Sequence, residues 1–167
     1  MSPSGLLVDP FAFTRESREI TERCPVDSFE RLADAVLLPE GSLQATFRGW
    51  QDADGKSWLK LDLKGALVLQ CQRCLEALTW PVQVASLFLL VREGDALPDD
   101  DLEEDAWDCL PVGKRFDLRQ IVEDEALLAM PFAPRHEECS APSRADGGER
   151  ASPFAGLAQL RKPEGRG

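Results

Sequence analysis

No stretch of this sequence is long and apolar enough to cross a bilayer. Its most apolar run, Leu87–Val91, falls far short of the ~20 residues a spanning helix needs. Met1–Pro10 has neither a basic leader nor a long apolar stretch ending in small residues, so no secretory signal is expected and the chain is assigned to the cytoplasm. Cations are scarce: 19 Lys and Arg stand against 30 Asp and Glu, a net charge of −11. Such a field repels polyanions, which argues against a large RNA footprint and suits a basic protein partner, although acidity also serves plain solubility. Lys and Arg are missing altogether between Glu93 and Gly113, where acids are dense (Asp99–Asp101, Glu103–Asp105). That stretch has too little apolar surface to offset ordering entropy, so a mobile acidic loop is expected over 93–113. Histidine occurs once, as His136. No Gly-rich loop fit to cradle a phosphate is present, because Gly147-Gly148 lacks the lysine and following helix that such a loop requires.

What remains is an ordinary globular composition, 43% hydrophobic and 29% charged over 167 residues, enough for one domain with tails. The five cysteines are odd in number and irregularly spaced. In a reducing compartment they read as free thiols or metal ligands rather than a disulfide framework.

Along the chain, residues 1–25 read as an extended arm or edge strand. Asp27 or Ser28 then caps a helix near 28–38, whose Phe29, Leu32, Ala33, Val36 and Leu37 recur at helical spacing. Pro39 and Gly41 end it. Ser42–Gln51 is a candidate strand, and Asp52–Gly55 a turn. From Trp58 the alternation is clear: Leu59, Leu61 and Leu63 face one way, Lys60, Asp62 and Lys64 the other, and the odd register resumes at Leu67 and Leu69 after Gly65. This is one long strand or two in line. Leu78, Trp80, Val82 and Val84 repeat the pattern on even positions, then Leu87, Leu89 and Val91 on odd ones, which predicts a bulge near Ala85–Ser86. Trp107, Leu110 and Val112 suggest a short return strand beside the acidic loop. Asp117 caps a second helix over 117–130, with Leu118, Ile121, Val122, Ala126, Leu127 and Met130 inward and Pro131 and Pro134 as stops. Beyond Cys139 the composition is that of a flexible tail. Within it, Ser152-Pro153 opens a short helix over 152–162 with Phe154, Leu157 and Leu160 as its apolar stripe.

The chemistry-bearing feature is Cys71-x-x-Cys74, which falls in the turn between the two long strands and has the bite of a zinc knuckle. His136-x-x-Cys139 could supply the other two ligands of a tetrahedral site. Two readings remain open: one structural zinc ion, or small buried residues with no metal. Arg73, between the cysteines, is a candidate surface contact, and the tail stripe Phe154, Leu157 and Leu160 suits a partner's groove as well as the protein's own core. Cys139 and His136 are poorly preorganised for nucleophilic catalysis in a Pro-rich stretch. Glu104, Asp105, Asp117, Glu123, Asp124 and Glu125 read as solvated charge rather than a two-metal nuclease site. No catalytic residue is assigned, and the chain is not expected to be an enzyme.

These residues together resemble the YceD family of large ribosomal RNA subunit accumulation proteins. The resemblance rests on Cys71-Gln72-Arg73-Cys74-Leu75 after alternating strands, Phe116-Asp117-Leu118 leading to Ile121-Val122-Glu123-Asp124-Glu125, and Leu127-Leu128-Ala129-Met130-Pro131. The His136/Cys139 pair follows, and Ser152-Pro153-Phe154-Ala155-x-Leu157-x-x-Leu160-Arg161-Lys162 closes it. It implies a role in the synthesis, processing or stability of 23S ribosomal RNA without catalytic residues. Relatives with further cysteine pairs look like zinc binders; here His136-x-x-Cys139 replaces the second Cys-x-x-Cys, and Ser152 stands where the closing motif often has asparagine. The expectation is an α+β domain over 1–139, an antiparallel sheet with two packing helices and an acidic loop, followed by a tail over 140–167 carrying a tethered C-terminal helix. It would act by binding a ribosome-assembly or rRNA-processing protein, such as a basic ribosomal protein. The alternatives are a direct RNA-binding zinc module, which the net charge disfavours, and an rRNA-processing nuclease. No membrane partner is expected.

Overall fold

The structure is a computed structural model and describes residues 6–95 and 106–141. In chain order its elements are β1 (Leu7–Val8), α1 (Pro10–Arg15), β2 (Glu19–Pro25), a 3-10 turn (Val26–Ser28), α2 (Glu30–Ala35), β3 (Ser42–Gln51), β4 (Ser57–Gln70), β5 (Ala77–Arg92), β6 (Asp108–Val112), β7 (Phe116–Asp117) and α3 (Leu118–Leu128). A five-stranded sheet runs β2-β3-β4-β5-β6, and β1 pairs with β7 apart from it.

Period-two alternation buries one face of a strand, and β4 is the clearest case: Leu59, Leu61, Leu63 and Leu67 are essentially inaccessible. Opposite Leu59, Leu63 and Leu67 on the same face stand Phe88, Val84 and Trp80 of β5. The pairs β2–β3, β3–β4 and β4–β5 are antiparallel. The helices cover this inner face. Phe13 of α1 lies over Gly49 of β3, where any added Cβ would sit 2.5 Å from its ring. From α3, Leu118, Ile121, Val122 and Ala126 join the same core. The N-terminal segment is pinned to the start of α3, where the Leu118 N–H donates to the Leu6 carbonyl at 3.0 Å.

The two long strands expected either side of residues 71–74 are adjacent and antiparallel, from Ser57↔Leu90 to Gln70↔Ala77. Gly65 does not interrupt β4. It is a close approach, since a Cβ there would lie 2.7 Å from Leu43 Cδ2 and 2.9 Å from the Ser42 carbonyl oxygen. Beyond Gln44 the β3 partner runs out, and Leu37 and Leu38 take its place by donating to the Val68 carbonyl. Asp117 caps α3 as its position predicts, accepting from the Arg119 N–H.

Several expectations need correction. No bulge occurs at Ala85–Ser86, because the β4–β5 register is unbroken through Asp62↔Ala85 and Leu61↔Ser86. The odd-numbered apolar residues of β5 instead gain cover on the outer face: Leu89 lies opposite Trp58, whose ring meets Trp107 edge-on at 5.6 Å. Neither Asp27 nor Ser28 caps α2. The Ser28 hydroxyl is spent on the Pro25 carbonyl, and Phe29 holds the N-cap position without a side-chain bond. The helix is also shorter than the 28–38 expected, since Leu37 and Leu38 serve the sheet. The expected arm holds edge strand β2, but also α1, capped by Asp9 with Pro10 at its first position. The expected short strand near Trp107–Val112 exists as β6, cut from the end of the 93–113 stretch, yet it runs parallel to β5. Residues 96–105 of the acidic loop and the tail helix over 152–162, with Phe154, Leu157 and Leu160, lie outside the described residues.

Candidate metal centre

The β4–β5 hairpin ends in a tight turn. The Cys71 N–H donates to the Glu76 carbonyl, the Leu75 N–H donates to the Cys71 carbonyl, and Leu75 adopts a left-handed backbone at φ 65°. This folds Cys71 and Cys74 toward each other. The segment following α3 then closes over the turn. The Gln72 N–H donates to the Pro134 carbonyl at 2.8 Å, and the Arg73 guanidinium donates to the Cys139 carbonyl at 3.1 Å. Arg73, expected as a surface contact, thus also staples the two segments together.

As a result, the ligand atoms of Cys71, Cys74, His136 and Cys139 all lie within 4.8 Å of one another. The Sγ atoms of Cys71 and Cys139 are 3.7 Å apart, and Cys74 Sγ is 3.4 Å from His136 Nδ1. With Zn–S near 2.3 Å and Zn–N near 2.0–2.1 Å, the edges of a tetrahedral site are roughly 3.8 Å (S to S) and 3.5 Å (S to N). The donor types and these two separations fit zinc. His136 is also presented correctly. Its Nε2 lies 3.1 Å from the Ala77 carbonyl, an acceptor only, so Nε2 carries the proton and Nδ1 turns its lone pair on the thiols.

The electrostatics favour a thiolate at the centre of the cluster. Burial of Cys71 opposes ionisation, but backbone N–H groups of Cys74, His136 and Arg73, with help from the Cys74 thiol, outweigh it and bring its pKa from 9.0 down to about 5. Cys139 goes the other way: burial and the neighbouring Cys71 and Cys74 raise its pKa. In the metal-free cluster one thiol therefore ionises first and makes the next one harder to ionise, the behaviour of anions crowded at a cation's place. A metal held by all four donors would keep no open position for substrate, the arrangement typical of structural zinc sites.

The structure brings together the four residues that the sequence singled out. Glu123, read there as solvated charge, is instead engaged: its carboxylate crosses from α3 to cap α2. It accepts from the Arg31 and Leu32 N–H groups at 2.8 and 3.1 Å and pairs with the Arg31 guanidinium at 2.9 Å. Among the described residues no helix is long and apolar enough to cross a membrane.

A five-stranded sheet whose longest hairpin ends in a Cys-x-x-Cys turn, clasped from behind by His-x-x-Cys, defines a small α+β protein with a four-donor metal-type centre. The sequence profile of the family described as Large ribosomal RNA subunit accumulation protein YceD matches residues 59–161. The chain belongs to that family, which is named as an accumulation factor and not as an enzyme. It is similar to the large ribosomal RNA subunit accumulation protein YceD of Haemophilus influenzae, with 27% identity over 169 residues, 94% of this chain and 95% of the relative. No solved structure matches the chain.

Proposed function

We propose that the protein is a cytoplasmic, non-enzymatic factor of ribosome biogenesis that promotes the synthesis, processing or stability of 23S ribosomal RNA, and that its Cys71–Cys74–His136–Cys139 cluster holds one structural zinc ion. The family name supports the first part. The second is carried by one observation: three sulfurs and one correctly tautomerised imidazole nitrogen converge within 4.8 Å of one another, with Cys71–Cys139 and Cys74–His136 at the edge lengths of a zinc tetrahedron.

When bound, the zinc ion supplies no reaction; it cross-links. The hairpin tip lies just beyond Leu69, the last β4 residue of the core, and is bonded to the segment 134–139. Cys71 and Cys74 hold the tip, His136 and Cys139 hold the returning segment, and the Arg73–Cys139 bond reinforces the clasp. The fixed tip then presents Gln72, Arg73 and the exposed Leu75 to a protein or ribosomal partner. A basic ribosomal protein suits the −11 charge. The tail residues Phe154, Leu157 and Leu160 provide a second attachment.

The test is genetic and biochemical together. Cells lacking the protein should accumulate less mature 23S RNA, and the wild-type gene should restore it while Cys71→Ser/Cys74→Ser should not. Full rescue by the double variant would remove the metal from the function, and normal 23S RNA in the null strain would remove the function itself.

A further inference from the structure

The sheet has a second face that no helix covers among the described residues, and its charge departs from that of the chain. Residues opposite one another in the register share a face, which yields successive rows on the outer side. Arg23, Gln44, Lys64 and Gln83 form one row; Thr21, Thr46, Asp62 and Ala85 the next; Glu19, Arg48, Lys60 and Leu87 the third; Trp50, Trp58 and Leu89 the last. Both α1 and α3 contact the other side, through the Thr14–Ser57 and Glu125–Ser86 hydrogen bonds and the core they share. On a protein of net charge −11, this face sets Arg23, Arg48, Lys60 and Lys64 against Glu19 and Asp62, with Asp52 at its tryptophan end, so it lacks the acidic excess of the chain as a whole.

The carboxylates are already engaged. Glu19 accepts from Arg48 Nε at 2.8 Å, and Asp62 lies 3.3 Å from Lys60 Nζ. Arg23 and Lys64 have no carboxylate partner among the described residues. Arg23 is held through Nε by the Ser42 hydroxyl at 2.6 Å, which leaves its terminal nitrogens free beside a depression that Thr21, Glu22, Gln44 and Lys64 also line. The two cationic rows are four residues apart along the strands, roughly 13 Å. The aromatic row follows, and Trp58 is fixed there by its Nε1–H bond to Asp52 Oδ2 at 2.8 Å and by the edge of Trp107. Beside it, Trp50 is only half-buried.

We infer that this outer face binds a short single-stranded RNA, with phosphates on Arg23 and Lys64, the carboxylate-paired Arg48 and Lys60 flanking its path, and a base stacked on Trp50. The distribution of charge selects this occupant. An acidic peptide would match the cationic rows but would meet Asp52 at the tryptophan end, whereas a nucleotide presents anionic phosphate to the first and a neutral ring to the second. A duplex would bring more phosphates than four cations can neutralise against the overall field. The site goes beyond the reading above, which needs no RNA contact, and its failure would leave the role in 23S RNA accumulation standing.

The experiment uses the full chain and a labelled single-stranded RNA of about a dozen nucleotides, followed by fluorescence anisotropy over a salt series. Binding at low salt should carry a log–log slope between roughly −1.4 and −2.8, from two to four phosphates at about 0.7 each. Arg23→Glu with Lys64→Glu should weaken it at least tenfold and flatten the slope. Trp50→Ala should weaken it roughly tenfold and leave the slope in place, since stacking carries no counterions. Arg73→Glu at the hairpin tip should change little. Circular dichroism would confirm that each variant is folded, and Arg48→Gln offers a milder second probe of the cationic rows. The inference is overturned by any of three results: no binding at low salt, loss on Arg73→Glu but not on the sheet variants, or equal displacement by polyglutamate.

Discussion

Cys71 is wholly buried, and a buried thiol ordinarily resists ionisation. Here the backbone donors of the turn reverse that preference, so the fold itself keeps a thiolate at the place where a cation would sit. This has a signed consequence for the metal-free protein. A thiol whose pKa is lowered from 9.0 to about 5 contributes stability that is fully present above 9.0 and is lost as pH falls toward about 5. Cys139, whose pKa is raised, contributes in the opposite sense, and its share is lost only as pH climbs above 9.0. Denaturant unfolding of chelator-treated protein should therefore show stability decreasing between pH 9 and pH 5, and Cys71→Ser should abolish that slope. A profile unaffected by Cys71→Ser would show that the turn does not favour the thiolate. The single histidine matters for a different reason. Its ring is oriented by the Ala77 carbonyl, and His136→Gln, which loses the imidazole donor, should lower zinc affinity by a factor of ten or more, read by competition with a chromogenic chelator.

Among the elements, α2 shows how far a helix can depend on a remote residue. Its own N-cap position is Phe29, which offers no side-chain acceptor, so Glu123 of the adjoining α3 caps it. Glu123→Ala should cost about 1–2 kcal/mol, seen as a lower urea midpoint with an unchanged denaturant slope. An unshifted midpoint would mean water replaces the carboxylate without loss. In β4, Gly65→Ala forces a methyl group toward the Ser42 carbonyl and Leu43, and overpacking of this kind costs about 1–3 kcal/mol; thermal unfolding would measure it. Local signals carried most of the elements. Asp117 announced α3, the DADG turn announced the β3–β4 connection, and alternation announced the long hairpin. Asp9-Pro10 is an equally local start signal for α1 and was legible, though masked by the charged run that follows. What was not legible depends on distant chain. The Glu123 cap spans more than ninety residues of sequence. The apparent bulge in β5 is an intact strand whose outer face is covered near its end by Trp58 and Trp107, and no pattern within β5 records that cover.

At the scale of the whole molecule, the hydrophobic core and the metal-type centre occupy different places. The core lies between the inner sheet face and the helices, while the clasp sits at the tip of the β4–β5 hairpin and joins it to the segment after α3. Stripping a metal should thus loosen the tip without unfolding the sheet. Hydrogen exchange should show lost protection at the Gln72 amide, which bonds to Pro134, with the amides of Leu59–Leu63 unchanged. The candidate ligands were readable in the sequence because each pair is local, two donors three residues apart. Their convergence was not, because it needs α3 to deliver residues 134–139 to the far end of the sheet. The most direct test of the clasp is the zinc content of untagged, full-length protein, measured by mass spectrometry of the elements alongside Cys74→Ser. The account predicts close to one tightly held zinc per chain in the wild type and little in the variant. A wild-type protein purified without chelators that is folded and free of zinc would contradict it.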